Sequence, residues 1–338
     1  MRYYNLVVSD PTSGLVWKPT SNGLGFVKSA GGSTFTSFVN GQTVPGALTI
    51  EFDIPVVPFH TPQGQASIRI WGIGLGMISQ AANLNGAKFS LSAGMQKGLP
   101  LANPAQAGVV VSGIVFQAYG NWQGVNQTLD LICYPGVDQD VTFNWPKGTS
   151  LNAAIQGALS AAFPEYQLTV KIADSLKLSY DSKGHYDSLL QFAAFIQELT
   201  QKIGTPLFGA QYPGVQITFT GNAFSVFDNS TAPPPIQLAF QDLIGQPTWM
   251  NAATVSFKTV MRSDIAVGNQ IQFPQGIKNP YALTTQAAAV PNAPASSKTA
   301  FQGTFRVNEV HHFANSRQPD ADSWNSTFTA IATGTSNS

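Results

Sequence analysis

The feature that most constrains this chain is a period-two alternation cut at short intervals by glycine and proline. Leu48, Ile50, Phe52 and Ile54 alternate with Thr49, Glu51 and Asp53. Ile68 and Ile70 alternate with Ser67, Arg69 and Trp71, and Phe89 and Leu91 with Lys88, Ser90 and Ser92. Successive side chains of a strand point to opposite faces, so each run is a strand with one buried face. Two further runs follow, Val109 to Phe116 and Thr128 to Cys133. Gly64, Gly86, Gly94, Gly98, Pro100, Pro104, Gly120 and Gly124 read as the turns between runs. Residues 1–137 are therefore expected to form a barrel or sandwich of short strands.

The texture changes over residues 138–232. Ser150 is placed to cap a helix that carries Leu151, Ile155, Leu159 and Phe163 on one side, and Pro164 stops it. Asp187 or Ser188 caps a second helix, whose stripe is Leu189, Phe192, Ile196, Leu199 and Ile203, with Gly204 closing it. Strands are expected at Gln167 to Ile172, Ser175 to Tyr180, Gln216 to Thr220 and Ala223 to Phe227. This is a small α+β module. Thr231-Ala-Pro-Pro-Pro235 then reads as a stiff linker.

From residue 236 the β texture returns and continues to residue 338. Val255, Phe257 and Thr259 alternate with their neighbours. Met261 to Pro274 reads as a strand, a glycine turn and a strand. Residues 286–298, rich in Ala, Pro and Ser, read as a long exposed loop. In the last strand Trp324, Ser326, Phe328 and Ala330 share one face. One strand breaks parity: Phe305 and Val307 would share a face with Glu309, and a β-bulge there restores the pattern.

Composition narrows the function classes. Only 10% of residues are charged, against about 25% in typical soluble domains, and Lys plus Arg (17) balance Asp plus Glu (17). A free monomer with so little charge tends to associate, so much of the surface is expected to be covered by neighbours. The neutral balance argues against phosphate-driven nucleic-acid binding. Cys133 is the single cysteine, which excludes an internal disulfide and a cysteine metal cluster, and its apolar neighbours place it in a buried strand. Met1 onward reads as a strand rather than a signal peptide, and no apolar run is long enough to insert into a membrane. Cytoplasmic synthesis is expected.

Candidate chemistry is sparse. His311 and His312 are adjacent, so on a strand they face opposite ways and cannot share a metal, and His60 and His185 lie far off in sequence. Gly72-Ile-Gly-Leu-Gly76 has the wrong spacing for a dinucleotide loop. Asp320 and Asp322, beside Ser323, are two apart on an expected loop, which does not specify a glycosidase pair. Neither Ser160 nor Ser188 sits in a nucleophile elbow. No catalytic, cofactor or metal residue is expected, and the chain is expected not to be an enzyme. Trp249, Met250 and Trp324 stand out instead, as anchors of a core or of a subunit or domain interface.

Several stretches resemble the baseplate hub proteins of phage tails, of Mu-like and T-even type, and the hub-like part of type VI secretion VgrG spike proteins. Ser90-Leu-Ser-Ala-Gly-Met95 and Ser112-Gly-Ile-Val-Phe-Gln117 are similar to strands of the family's first barrel. Gly148 to Ile155 and Asp187 to Leu190 resemble helix starts of its middle module. Asp242 to Trp249, Asp264 to Pro274 and Val307 to Trp324 resemble its second barrel. Where family members often carry Gly-Asp after the histidine of the penultimate strand, this chain has Phe313-Ala-Asn-Ser-Arg317.

The resemblance implies a mainly β fold of two tail-tube-like β-barrel domains, 1–137 and 236–338, with the α+β domain 138–232 between or beside them. It implies a homotrimer that forms a pseudo-sixfold ring in the virion tail baseplate. Its partners would be the tail tube protein, the central spike protein and the baseplate wedge proteins, and genomic DNA would pass through without specific binding. The alternatives are a tail-associated cell-wall hydrolase, which needs a catalytic carboxylate or zinc site, and a carbohydrate-binding tail protein.

Overall fold

The computed structural model describes residues 2–21, 25–61, 64–95, 106–209, 212–220, 223–228, 234–274, 301 and 303–333. The expected loop 286–298, the turn residues Gly98, Pro100 and Pro104, and the first three linker residues lie outside them. The fold is mainly β. In the first region the strands are β1 (Arg2–Ser9), β2 (Val16–Pro19), β3 (Phe26–Ser29), β4 (Phe35–Thr36), β5 (Phe38–Val39), β6 (Gln42–Thr43), β7 (Thr49–Val56) and β8 (Ala66–Trp71). A short helix α1 (Leu75–Ser79) precedes β9 (Lys88–Met95), β10 (Gly108–Gln123) and β11 (Asn126–Pro135). The middle region holds β12 (Val141–Trp145), α2 (Leu151–Ala162), β13 (Gln167–Lys171), β14 (Ser182–Tyr186), α3 (Leu189–Phe208), β15 (Gln216–Thr220) and β16 (Ala223–Phe227). The last region holds β17 (Ile236–Gln237), β18 (Thr248–Trp249), β19 (Thr254–Val260), β20 (Gln270–Gln272), β21 (Thr304–Asn315) and β22 (Trp324–Thr333).

The chain forms two compact units, not three segments in a row. Residues 1–56, 64–135 and 234–338 make the first, and residues 57–63 with 136–233 the second. The first and last regions join because β7 pairs with β21, from Val310↔Val56 to Asn315↔Glu51. The main sheet path of this unit is β18-β19-β22-β21-β7-β8-β11-β10-β9-β1-β2-β3. That pairing links residues some 260 positions apart, which local periodicity does not register.

Two hydrophobic cores lie on this one sheet. The first is built from Leu6, Ile50, Ile54, Ile68, Ile70, Leu91, Leu129 and Leu131, with Met261, Ala314 and Trp324 from the far end of the chain. The sheet curls round it: the Tyr4 hydroxyl on β1 donates to the carbonyl of Leu48, one residue before β7. Cys133 is buried here, and burial pushes its thiol far above the ordinary range, so it packs as a small apolar group. The second core is aromatic, with Phe257, Phe273, Phe301, Phe305 and Phe328.

β21 serves both cores. Phe305, Val307 and Val310 face the second, and Ala314 faces the first. Its register with β22 shifts between Val307 and Glu309, where the sequence parity slips. The bulge turns Glu309 away from the core and re-aims the strand between the two cores.

The second unit has its own core, in which Ile155, Leu159, Leu189, Phe192, Ile196, Phe224 and Val226 are buried. Ser188 caps α3, its hydroxyl accepting the Gln191 amide at 3.3 Å. Residues 57–63 belong here, because the Phe59 amide donates to Ile217 on β15 at 2.9 Å and Phe59 is buried in this core.

Six local expectations differ. Gly94 lies inside β9, paired with Tyr3, rather than in a turn. Ser150 stands at the N-cap of α2 but its hydroxyl makes no capping bond. α3 runs past Gly204 to Gly209, whose φ of 94° ends it; Gly204 is small because Tyr212 packs against it, at 2.3 Å from where a Cβ would stand. Residues 175–180 hold only the bridge of Lys177 to Ser150, and the strand is β14 instead. Gly120 lies inside β10 rather than in a turn, where Ile78 fills the space above it. Residues 261–269 are not a strand; Arg262, Ser263 and Asp264 spend their polar groups on contacts outside any ladder.

Candidate functional site

The residues singled out in the sequence are not gathered into one place. Trp324, at the start of β22, is 2% exposed and sits in the first core, with its indole N–H on the carbonyl of Gly94 at 3.1 Å and its ring edge-on to Phe52. Trp249 is half-buried at the second core, stacked on Phe301 with centroids 5.6 Å apart. Met250 is 64% exposed. Trp324 therefore anchors the core of the other β region, through the β21–β22 hairpin.

The two histidines divide as their adjacency requires. His311 points outward and pairs with Asp53 across the β21–β7 seam. His312 points inward, is fully buried, and holds its Nδ1 2.8 Å from Ser326 Oγ. Burial, with a smaller contribution from His311, lowers the His312 pKa to about 3, so the ring is neutral at ordinary pH. Ser326 with His312 has the composition of a nucleophile–base pair. Both are inside the protein, and Ser326 Oγ also accepts the Arg262 amide at 3.2 Å, so no substrate carbonyl reaches the hydroxyl. Asp322 is paired with Lys258 at 2.7 Å, and the Ser323 hydroxyl donates to the carbonyl oxygens of Gln318 and Asp320. His185 contacts Thr142 and Asp187. Among the described residues no group of three metal-ligating side chains converges.

A buried polar bracket, missed in the sequence, ties residues 239–264 to the rest of the unit. Arg262, 4% exposed, grips Asp264 with two bonds of 2.7 and 2.6 Å and faces Asp242 at 3.5 Å. Asp242 also accepts from Gln106 Nε2 at 3.0 Å and from the Ala239 amide at 2.9 Å. The sequence signal was Asp242, Arg262 and Asp264, with Lys258, in an otherwise uncharged stretch; it gave no partner.

An organised polar surface lies on the outer face of the sheet. Its rows cross both β regions: Asn315, Glu51, Arg69, Asp130 and Tyr119 stand side by side on five neighbouring strands. Asp130 is nearly buried and accepts from Arg69, from Asn121 at 3.0 Å and from Thr128 at 2.8 Å. Asn315 donates to Glu51 at 2.7 Å. A shallow open groove of about 330 Å³ runs along these rows, with Ser67 and Arg69 at its middle and Phe313 and Tyr119 near its ends.

No family model matches the chain, and no curated protein matches it significantly. Solved structures that align with this chain include the 43 kDa tail protein of prophage MuSo2 from Shewanella oneidensis, at 6% identity over 97% of this chain and 96% of that one, with a TM-score of 0.49. A tail protein from Neisseria meningitidis MC58 aligns at 9% identity over 84% of this chain and 96% of that one, with a TM-score of 0.45. A chain of the Francisella PdpA–VgrG complex aligns at 7% identity over 98% of this chain but 57% of its own length, with a TM-score of 0.43.

Proposed function

We propose that this chain is a structural, non-catalytic subunit of a phage tail, of the baseplate-hub kind. Three copies form a ring that joins a sixfold tail tube to a threefold central spike, with wedge proteins outside it. The observation that carries the reading is the pair of cores on one continuous sheet. A chain that presents two β units side by side gives six such units in a trimer, which is the symmetry match the junction needs. The sequence resemblance supplies the biological setting.

The outer sheet face is the surface assigned to the channel. Across β7, β8, β10, β11, β19, β21 and β22 it carries four carboxylates (Glu51, Asp53, Asp130, Glu309) against three cations (Arg69, Lys258, Arg306). Several of these are already paired: Arg69 with Asp130, Lys258 with Asp322, Asp53 with His311 and Glu51 with the Asn315 amide. Such a wall offers DNA no row of free cations, so DNA would pass without adhering.

Light scattering of the purified protein over a concentration series tests the reading. The expected mass is three chains, with a pseudo-sixfold annulus in negative-stain images. A particle with two copies, or a filament, contradicts the ring. The non-catalytic part is tested separately, by incubation with peptidoglycan; soluble fragments would overturn it.

A further inference from the structure

Of the three cations on the outer sheet face, two are matched. Arg69 is paired with Asp130, and Lys258 with Asp322. The third, Arg306, stands on β21 between Phe305 and Val307. Both of those side chains are buried in the second core, so that of Arg306 lies on the outer face. It is half-buried, and its Nε–H is buried without an acceptor among the described residues. Burial lowers its pKa from the ordinary value, and no carboxylate opposes the shift. Glu309, the next acid along the strand, lies beyond the bulge and forms no ion pair with it. Each of the other four arginines of the chain spends its guanidinium on an oxygen. Arg2 donates to the carbonyls of Asn315 and Asp320, Arg69 to Asp130, Arg262 to Asp264 and Arg317 to the Ala47 carbonyl.

The strands beside Arg306 are polar but uncharged here. Gln270 stands opposite it on β20, Ile331 on β22, and Thr254 beyond that on β19. The neighbouring row on the same face is Gln272, Thr304 and Thr333. Directly opposed side chains are about 5 Å apart at Cβ, so the Gln270 amide can donate to the same group as Arg306. A buried donor on a charged group is costly to leave unmade, and a partner that arrives from outside recovers the loss. A guanidinium presents Nε–H and one Nη–H side by side, a fork that fits two oxygens of one oxyanion.

We infer that Arg306, with Gln270 beside it, is an oxyanion site, and that the oxyanion it takes is a phosphate of DNA passing along the outer face. The phosphate identity deepens the channel reading and rests on it; the oxyanion site does not. A wall that faces passing DNA meets phosphates, and among the described residues no carboxylate of the chain itself satisfies Arg306. One contact per copy makes three in the ring, against the roughly 6–10 phosphate contacts at which binding becomes strong and steeply salt-dependent. Arg306 would touch the backbone without holding it.

The test uses the full chain carrying isotope-labelled arginine, whose Nε–H groups are followed by nuclear magnetic resonance. The signal missing from Arg306→Lys, or from Arg306→Gln if the first does not fold, is that of Arg306. Inorganic phosphate, acetate and a short DNA duplex are each titrated at constant ionic strength set with chloride. The expected result is a saturable shift of the Arg306 signal with phosphate and with the duplex, a weaker one with acetate, and no shift of the other arginines. A signal that phosphate does not move overturns the site. A signal moved by acetate at least as far as by phosphate, or by phosphate but not by the duplex, overturns DNA phosphate as the occupant. Melting gives a second readout: phosphate should raise the melting temperature of wild type more than that of Arg306→Met, which feels only the general effect of the salt. Equal rises overturn the site. All of these are read on one chain or three, so a one-chain mass, which overturns the ring, is told apart from failure of the site.

Discussion

Trp324 and Trp249 look alike in the sequence, both large aromatics of the last region, yet they do different work. Trp324 is enclosed on all sides in an aliphatic core and its N–H is bonded. Trp249 lies at the rim of an aromatic core, and its buried indole N–H finds no hydrogen-bond partner among the described residues. The first core is walled by paired strands of eight to sixteen residues, β1, β7, β9, β10 and β11, together with β8. The second has the two-residue strands β17 and β18, the three-residue strand β20, and stacked rings such as Phe257 on Phe328 at 4.8 Å. The second core also rests on long ladders, those of β19, β21 and β22, and what it adds is ring-on-ring packing.

The largest effect should come from breaking the first anchor. Trp324→Ala removes a fully buried ring and orphans the Gly94 carbonyl, at a cost of about 3–5 kcal/mol. Trp249→Ala removes a half-buried ring whose N–H already lacks a partner among the described residues, and should cost about 1–2 kcal/mol. Urea unfolding followed by near-ultraviolet circular dichroism reads both. Equal losses would mean that the two cores are not built differently after all.

Next in size is the bracket. Asp264→Ala leaves the buried Arg262 with Asp242 at 3.5 Å as its remaining carboxylate. Losing one partner of a buried pair costs about 3–5 kcal/mol, and the surviving Asp242 should hold the loss to the lower end. The double change Arg262→Met with Asp264→Ala should recover part of it, because the uncompensated charge is gone. A double variant no more stable than Asp264→Ala would show that the bracket acts through loop shape rather than charge.

The third prediction concerns pH. The His312 pKa is lowered from 6.5 to about 3 in the folded state. The unfolded chain therefore takes up the proton first. The contribution of neutral His312 is complete above about pH 6.5 and is lost as pH falls toward 3, at up to about 1.4 kcal/mol per pH unit. The wild-type stability minus that of His312→Asn should slope upward between pH 4 and 6.5 and flatten above. A difference independent of pH would mean that the ring is reached by solvent.

Much of this was legible beforehand. The runs at 48–54, 67–71, 88–92, 216–220 and 223–227 appear as strands because each buries one side of a sheet, and the parity slip at Glu309 located the bulge. What the sequence could not carry was pairing between distant segments. The β7–β21 ladder, the burial of Trp324 in the other region's core, and the attachment of residues 57–63 to the second unit all depend on contacts far apart in the chain. Gly120 and Gly204 misled for one reason: each is small because a side chain, Ile78 or Tyr212, presses on it, not because the chain turns there.

The smallest effect tests which face of the β7–β21 seam holds it. Inside the seam, His312, Ser326, Ile54 and Ala314 are buried. Outside it, His311 pairs with Asp53, and both side chains are about half exposed. An exposed pair gains little Coulomb energy in water and gives up side-chain entropy, so His311→Ala should cost less than about 1 kcal/mol and change little between low and high salt. His312→Asn, one residue along, should cost clearly more at pH 7, because it disturbs a packed interior and its bond to Ser326. If His311→Ala proved the more damaging of the two, the seam would be an outer-face clasp. The outer wall would then be a structural element of the joint, and its residues could not be varied without loosening the two β regions from each other.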